Sequence, residues 1–431
     1  MPMTIEDAGH LLRRAGFGGT QAEIATIAAL DRAAAVDSLL NASPPAEQLP
    51  AEFNDPNKGD YEQLIAVNQM WFDRMATSKA PAVEKMTLFW HGHFTTSSEK
   101  VGTTRFLYDQ LAFHRANALG NFATLTQGVA VLPAMLVFLD GAYNQAGHPN
   151  QNFARELMEL FTLGIGNYIE QDVIEGARAW TGYNLSDDGK SFLFRSNAHD
   201  KANKTIFGIT KNWDGPMMID EILKGSKKDI MARYMAKKLW EFFAHPGPPA
   251  GVVDALATVF LSSGLDIKAL MRALLLRDEF YSVTAKQNLV RTPIEAAVST
   301  MKALNLQATS LDLPWHLANE GQEPFNPPNV SGWRPNGYWI STSTAAARAA
   351  FTWHVLDVAS QAKKLPDFTK LSVDSAVDGA FVAARSRPVS TVTRDSVRAW
   401  LTGVRGAPDY FGDERFDLMF LVLMSPELQL D

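Results

Sequence analysis

The chain has 431 residues, of which 46% are hydrophobic and 20% charged, and its formal net charge is −7. This is the composition of an ordinary globular protein, and the length allows one large domain or two of average size. The acidic balance without a basic stretch argues against a nucleic-acid-binding protein. The absence of cysteine excludes disulfides, thiolate nucleophiles and cysteine-based zinc sites.

The amino-terminal residues do not combine a charged region with an apolar region after it, so the sequence predicts no export signal. No apolar run approaches the roughly 20 residues that a membrane-spanning helix needs. The longest such run is 418–424. We therefore expect a cytoplasmic protein without a membrane span.

The first predicted helix covers residues 4–15, with Thr4 as its amino-terminal cap. Its polar side carries the basic residues His10, Arg13 and Arg14. The glycine-rich run 16–19 follows directly. Arg13, Arg14 and this turn would together bind an anion, or the glycines simply end the helix, which is the commoner role of such a run.

A second histidine-bearing helix is predicted over residues 82–94, and it ends in the sequence FWHGHF. On a regular helix His91 and His93 point in different directions, but Gly92 between them loosens the last turn. Both rings would then turn inward. They are either hydrogen-bonded core residues or metal ligands.

Residues 150–183 hold the densest group of polar residues within an apolar pattern. Two helices joined by a turn at Gly164 and Gly166 are predicted here, the second over residues 170–180. One side of the first helix carries Asn152, Arg155, Glu156 and Glu159. These residues either form a solvated face, with Arg155 and Glu159 as an ion pair, or a buried polar cluster that needs internal partners.

The strand signals are confined to residues 182–185, 191–195 and 204–208, which predict one small antiparallel β-meander near residues 182–209. The loop before the last strand contains His199 and Asp200. This dipeptide would serve as a metal-binding or acid–base element, or it forms a simple turn.

The remaining chain follows helical patterns, so we expect a mainly α fold, a large multi-helix single domain of residues 1–431. A subdivision would place amino-terminal helices in residues 1–181, a β insertion in 182–209 and carboxy-terminal helices in 210–431.

An aromatic segment, residues 324–351, is rich in turn-forming residues before a predicted helix that begins near residues 341–344. Trp333, Arg334 and Arg348 are its candidate ligand-binding residues. A rigid aromatic loop at a helix start suits an anionic or sugar-like ligand. The alternative is a loop whose tryptophans seal the core.

Several of these stretches resemble a known bacterial family, the domain of unknown function 1800. The matching motifs are HLLRRAGFG at 10–18, KMTLFWHGHFTTS at 85–97, NFARELMELFTLGIGNY at 152–168, ARAWTGY at 177–183 and PPNVSGWRPNGYWISTSTAAARAAF at 327–351. The resemblance implies no established activity. It implies relatives that are often exported, and a protein partner from a neighbouring gene by association. One departure is Ile169, where the family usually has a threonine that caps the next helix.

Two classes of function follow. In the first, a divalent metal is bound by His91, His93, His199 and Asp200, or by Glu156 and Glu159 with these histidines. Alternatively, His93 with Glu156 or Glu159 acts as general acid and base, and Arg155 or Arg13 binds the anionic part of the substrate. Arg13, Arg14, Asn152, Trp333, Arg334 and Arg348 would then bind a polar or anionic, glycan-related substrate. In the second class, a non-catalytic binding or assembly protein uses the aromatic loop, and the charged cluster is structural.

Overall fold

The computed structural model describes residues 2–385 and 389–430 and confirms the mainly α fold. Of the predicted domain 1–431, residues 1, 386–388 and 431 lie outside the described residues. The amino-terminal helices are α1 (Ile5–Arg14), α2 (Gln21–Ala28), α3 (Arg32–Leu40), α4 (Asp60–Thr77), α5 (Pro81–His93), α6 (Ser98–Val101), α7 (Thr104–Ala116), α8 (Phe122–Val129) and α9 (Pro133–Phe138). Thr4 caps α1 as predicted, since its Oγ1 accepts a hydrogen bond from the Asp7 amide at 3.0 Å.

The middle of the chain contains the predicted helix pair and the strands. α10 (Asn152–Glu156) continues as a π-helix over Leu157–Thr162, and α11 (Glu170–Ala179) follows after a turn. Gly164 and Gly166 both have positive φ in that turn, so glycine is favoured there. Ile169 occupies the cap position of α11 without a side-chain hydrogen bond to the helix.

The β segment differs from the predicted meander. β1 (Tyr183–Leu185) pairs with β2 (Phe192–Phe194), and β3 (Lys204–Ile206) pairs with β4 (Ile209–Lys211), giving two separate antiparallel sheets. β4 was missed because a two-residue turn at Phe207 and Gly208, both with positive φ, reverses the chain where one longer strand was expected.

The carboxy-terminal helices are α12 (Gly215–Lys224), α13 (Lys228–Phe243), α14 (Val252–Ser262), α15 (Ile267–Leu276), α16 (Val283–Gln287), α17 (Pro293–Leu304), α18 (Leu313–Asn319), α19 (Thr342–Gln361), α20 (Val373–Ala383), α21 (Thr391–Gly406), α22 (Glu414–Leu423) and α23 (Pro426–Gln429). Short 3-10 helices cover Ala51–Asn54, Gly141–Tyr143, Asp278–Tyr281, Ala308–Ser310 and Asn336–Trp339. α19 begins after Ser341, whose Oγ accepts from the Thr344 amide at 3.1 Å, as the cap-rich sequence predicts.

Buried apolar side chains from α1 through α23 form one continuous core. α5 lies deep within it, and every residue from Ala82 to His93 except Gly92 is buried. Its two charged residues are compensated: Glu84 accepts from Arg74 and Arg115, each at 3.0 Å, and Lys85 pairs with Glu295. No helix in the described ranges is both long and apolar enough to cross a bilayer.

Candidate functional site

A cleft of about 240 Å³ opens between the carboxyl end of α5, helix α13 and the loop of residues 331–339. We call it the His93 cleft. Its walls are largely aromatic and aliphatic. The lining residues that carry a charged group, an imidazole or an indole are His93, Lys238, Glu241, Trp333, Arg334 and Trp339. A mostly apolar cleft with a few convergent polar groups is the usual form of a small-molecule site.

The aromatic loop is fixed onto the end of α5 by close backbone contact. Gly332 has a φ of +77°, and a Cβ at this position would lie 2.5 Å from the carbonyl oxygen of Gly92. Thr95 Oγ1 also donates to the carbonyl of Val330 at 2.8 Å. The two glycines therefore bring Trp333 and Arg334 to the same cleft as His93.

His93 is 4% exposed, and its Nε2 lies 3.0 Å from the carbonyl oxygen of Phe161 in the π-helix. A carbonyl only accepts, so Nε2 carries the proton and Nδ1 has a free lone pair. Nδ1 has no hydrogen-bond partner among residues 2–385 and 389–430. Burial, assisted by the charge of Lys238, holds the pKa of His93 well below 6.5, so the ring is neutral.

His91 has a different role from His93. Its Nε2 accepts a hydrogen bond from the Phe325 amide at 3.2 Å, which places the proton on Nδ1. The ring packs between Trp71, Phe325 and Trp333, with centroid distances of 5.0, 4.8 and 5.4 Å. Burial lowers the pKa of His91 to about 3. It anchors the segment that leads into the aromatic loop.

Lys238 supplies an amine to the cleft. Its Nζ lies 3.4 Å from the carbonyl of Leu160, and it stands 5.4 Å from the ring centroid of Tyr234, whose hydroxyl donates to the same carbonyl at 2.7 Å. Glu241, the one carboxylate on the lining, approaches Lys237 at 3.9 Å. Burial lowers the pKa of Lys238 to about 8.

The aromatic loop contributes two indole rings and one cation. Trp339 is 4% exposed. The indole nitrogens of Trp333 and Trp339 are buried and have no hydrogen-bond partner in the part of the chain that the structure describes. Arg334 is exposed, and no ion pair to it occurs among the described residues.

The predicted polar residues of the π-helix region do not line the His93 cleft. Arg155 pairs with Glu170 at 2.7 Å rather than with Glu159, and exposed Asn152 donates to Asp140 at 2.9 Å. Neither alternative drawn from the sequence describes this arrangement, because the side chains are half-buried or exposed and their partners lie outside the helix.

Glu156 and Glu159 are nevertheless an unusual pair. Burial raises the pKa of Glu156 to about 7, and the neighbouring charge of Glu159 adds to the effect. Glu159 Oε2 accepts from the Tyr168 hydroxyl at 2.5 Å. Burial and this hydrogen bond raise the pKa of Tyr168 to about 12.

The four predicted metal ligands do not share a site. His199 Nδ1 lies 2.8 Å from the Thr181 carbonyl, and Asp200 accepts from Arg178 at 2.8 Å. Across residues 2–385 and 389–430, no group of three or more histidine, aspartate or glutamate side chains is arranged to hold a metal ion. His199 and Asp200 instead attach the β segment to α11.

The predicted arginine ligands of α1 and α19 are buried in the structure. Arg14 donates to the carbonyls of Ala244 and Ala285 at 2.7 and 2.6 Å, and Arg348 pairs with buried Glu320 at 3.0 Å. Arg13 is buried beside the glycine-rich turn of residues 16–18. His10 is buried as well, with Nε2 2.9 Å from the Phe280 carbonyl. The polar side predicted for α1 thus faces the interior.

The sequence did not single out Lys238 and Glu241. The signal available was a polar stripe on α13, since Tyr234, Lys238 and Glu241 recur at intervals of four and three residues. Such a stripe is typical of any solvated helix face. Only tertiary packing shows that this one borders a cleft.

Comparison with known proteins gives one match. A family model described as "Protein of unknown function (DUF1800)" matches residues 10–430. No curated protein matches the chain, and no solved structure does.

Proposed function

The chain belongs to the DUF1800 family of proteins of unknown function, and we propose that it binds a small carboxylate in the His93 cleft. The apolar face of this ligand packs on the indole rings of Trp333 and Trp339. Its carboxylate is held by Arg334 and Lys238. This ligand class includes aryl carboxylates and sugar acids, since a sugar ring also offers an apolar face to an indole.

The observation that carries the proposal is the meeting of two cations and two indoles at one cleft. Lys238 and Arg334 outnumber the single carboxylate on the lining, Glu241, which Lys237 partly neutralises. The His93 ring is neutral and adds no charge. An anion is therefore the ligand charge that this lining favours.

The proposal is one of binding. It includes no reaction of Glu156 and Glu159, because neither residue lines the cleft.

The experiment is calorimetric titration of the full chain with mandelate and with glucuronate, each beside its neutral analogue, mandelamide or glucose. We expect at least one carboxylate to bind and its neutral analogue to bind about tenfold or more weakly, the value of one charge-assisted hydrogen bond. Tryptophan fluorescence should change in the same titration.

Arg334→Ala is the informative variant, because an exposed side chain without an ion pair is removed at little cost to folding. We expect about tenfold weaker carboxylate binding. Lys201→Ala is the matched control, since Lys201 is exposed and does not line the cleft. Equal binding of acid and neutral analogue, or equal affinity in Arg334→Ala and wild type, would contradict the proposal.

A further inference from the structure

Lys238 lies in a different environment from its neighbour Lys237, and this difference affects the reactivity of its amine. The Lys237 side chain is 57% exposed and sits 3.9 Å from Glu241. Lys238 lines the His93 cleft, where its ammonium lies 3.4 Å from the Leu160 carbonyl oxygen and 5.4 Å from the ring centroid of Tyr234. No ion pair to Lys238 occurs within the described residues. Burial lowers the pKa of Lys238 although the charge of Glu241 on the same lining opposes this shift. A desolvated amine in a cleft is the environment in which lysine becomes a nucleophile.

We propose that Lys238 condenses with the ketone of a 2-oxo carboxylate bound in the His93 cleft and forms an imine. The inference rests on the proposed carboxylate binding and adds the substrate class. Arg334 would hold the carboxylate group. The adjacent carbonyl carbon then meets the amine, because both groups line the same cleft.

The step balances without a further reactant. The ammonium of Lys238 first loses a proton to solvent. The lone pair of Nζ then attacks the carbonyl carbon, and a second proton moves from the nitrogen to the former carbonyl oxygen to give a carbinolamine. The hydroxyl group takes up a proton and leaves as water, the nitrogen loses its third proton, and a C=N bond replaces C=O. The sum is amine plus ketone giving imine plus water, with no oxidant or reductant.

Two features of the site favour these reaction steps. The pKa of Lys238 lies near 8, so a large fraction of the amine is neutral under mildly alkaline conditions. Neutral His93 lies beside Lys238, since the two side chains contact the adjacent carbonyls of Phe161 and Leu160 at 3.0 and 3.4 Å, and it adds no charge to the site.

The test is reductive trapping on the full chain at about pH 8, a value near the Lys238 pKa. Phenylglyoxylate is added, borohydride reduces any imine to a stable secondary amine, and tandem mass spectrometry of peptides locates the adduct. Lys237 is the internal control within the same peptide region. We expect the adduct at Lys238 to exceed that at Lys237 by about tenfold or more.

Variants separate the two lysines. Lys238→Arg should abolish the specific adduct, and Lys237→Arg should leave it unchanged. Circular dichroism establishes that both variants fold. If Lys238→Arg does not fold, the site distribution in wild-type protein still decides the question, because it needs no variant.

Mandelate distinguishes failure of this inference from failure of the binding proposal. It has the carboxylate and ring of phenylglyoxylate but a hydroxyl in place of the ketone. Binding of mandelate without any Lys238 adduct from phenylglyoxylate would overturn the imine and leave the binding proposal intact. Labelling spread equally over Lys237 and other exposed lysines would also overturn it. Competition by mandelate against labelling of Lys238 would support it.

Discussion

Gly332 lies against Gly92 so closely that a Cβ on Gly332 would be 2.5 Å from the Gly92 carbonyl oxygen. The positive φ of +77° at Gly332 adds a second reason for glycine. Gly332→Ala should therefore lower the free energy of unfolding by about 1–2 kcal/mol from the backbone alone, and by more if the loop cannot move. Denaturant unfolding followed by circular dichroism measures this change.

Gly337 provides the control for that substitution. It lies in the same aromatic loop, but an added Cβ would meet nothing within 4 Å, and its φ is not positive. We expect Gly337→Ala to change stability by less than about 0.5 kcal/mol. Equal effects at the two glycines would contradict the contact between the loop and α5.

The local elements were predictable where a short-range signal fixes them. Thr4 marks the observed start of α1, and the cap-rich residues 341–344 mark the start of α19. The helix predicted over residues 82–94 is observed as α5, with each boundary shifted by one residue. The π-helix was not predictable. Its final turn depends on contacts from distant elements, since Tyr234 and His93 bind the carbonyls of Leu160 and Phe161.

A second prediction concerns acid stability. Burial lowers the pKa of His114 to about 3, and neither ring nitrogen has a hydrogen-bond partner within the described part of the chain. Between about pH 6.5 and the folded pKa, the unfolded chain binds a proton that the folded chain does not. This histidine therefore lowers stability as pH falls through that window, by up to about 1.4 kcal/mol per pH unit.

His114→Leu should remove the contribution of this histidine to the loss of folding stability as pH falls. The substitution also removes a buried polar group without a partner, so it should be neutral or stabilising at about pH 7. Urea unfolding at a series of pH values gives the slope. A slope equal to that of the wild type would show that His114 is not buried in neutral form.

A third prediction concerns Glu156, whose pKa is raised to about 7 by burial and by Glu159. A carboxyl group with a raised folded pKa is protonated in the folded state while the unfolded state is ionised, so stability falls as pH rises from about 4.5 to about 7. Glu156→Gln should stabilise the protein by about 1–2 kcal/mol above that window, after discounting for partial exposure. Below the window it should have little effect.

Glu159→Gln supplies the complementary measurement. Removing the charge of Glu159 should lower the pKa of Glu156, because that charge is the second cause of its shift. Carboxyl ¹³C NMR titration follows Glu156 directly. An unchanged midpoint in Glu159→Gln would leave burial as the only cause.

A fourth prediction concerns Lys204, which is 1% exposed. Its Nζ donates to the carbonyls of Asp200, Ala202 and Trp213 at 2.5, 3.0 and 2.9 Å and to Asn212 Oδ1 at 3.2 Å. Lys204→Met would leave these acceptors without a donor and should cost about 3 kcal/mol or more.

Lys201→Met is the matched control for this lysine, because Lys201 lies in the loop just before β3 and is exposed. Its effect on the free energy of unfolding should be within about 0.5 kcal/mol. Thermal unfolding of the two variants side by side tests the claim. Equal melting temperatures would mean that the oxygen acceptors around Lys204 find other donors.

The candidate site was predictable only in part. His93, Trp333 and Arg334 are singled out by residue type in unusual local sequence, and all three line one cleft. The other residues that share the cleft with these three differ from those expected from the sequence. Glu156 and Glu159 were expected beside His93 because buried polar side chains need partners. In the structure both carboxylates are only half-buried, and Glu159 accepts a hydrogen bond from nearby Tyr168, so neither depends on His93. Lys238 belongs to the cleft because α13 packs there, which no short-range pattern encodes.

The central claim is that the His93 cleft holds a carboxylate. A crystal structure of the full chain soaked or co-crystallised with mandelate tests it most directly. The account predicts electron density for the ring beside Trp333 and Trp339, with the carboxylate within hydrogen-bond distance of Arg334 or Lys238. Density for mandelate only elsewhere on the protein, with water alone in the cleft at saturating ligand, would contradict it.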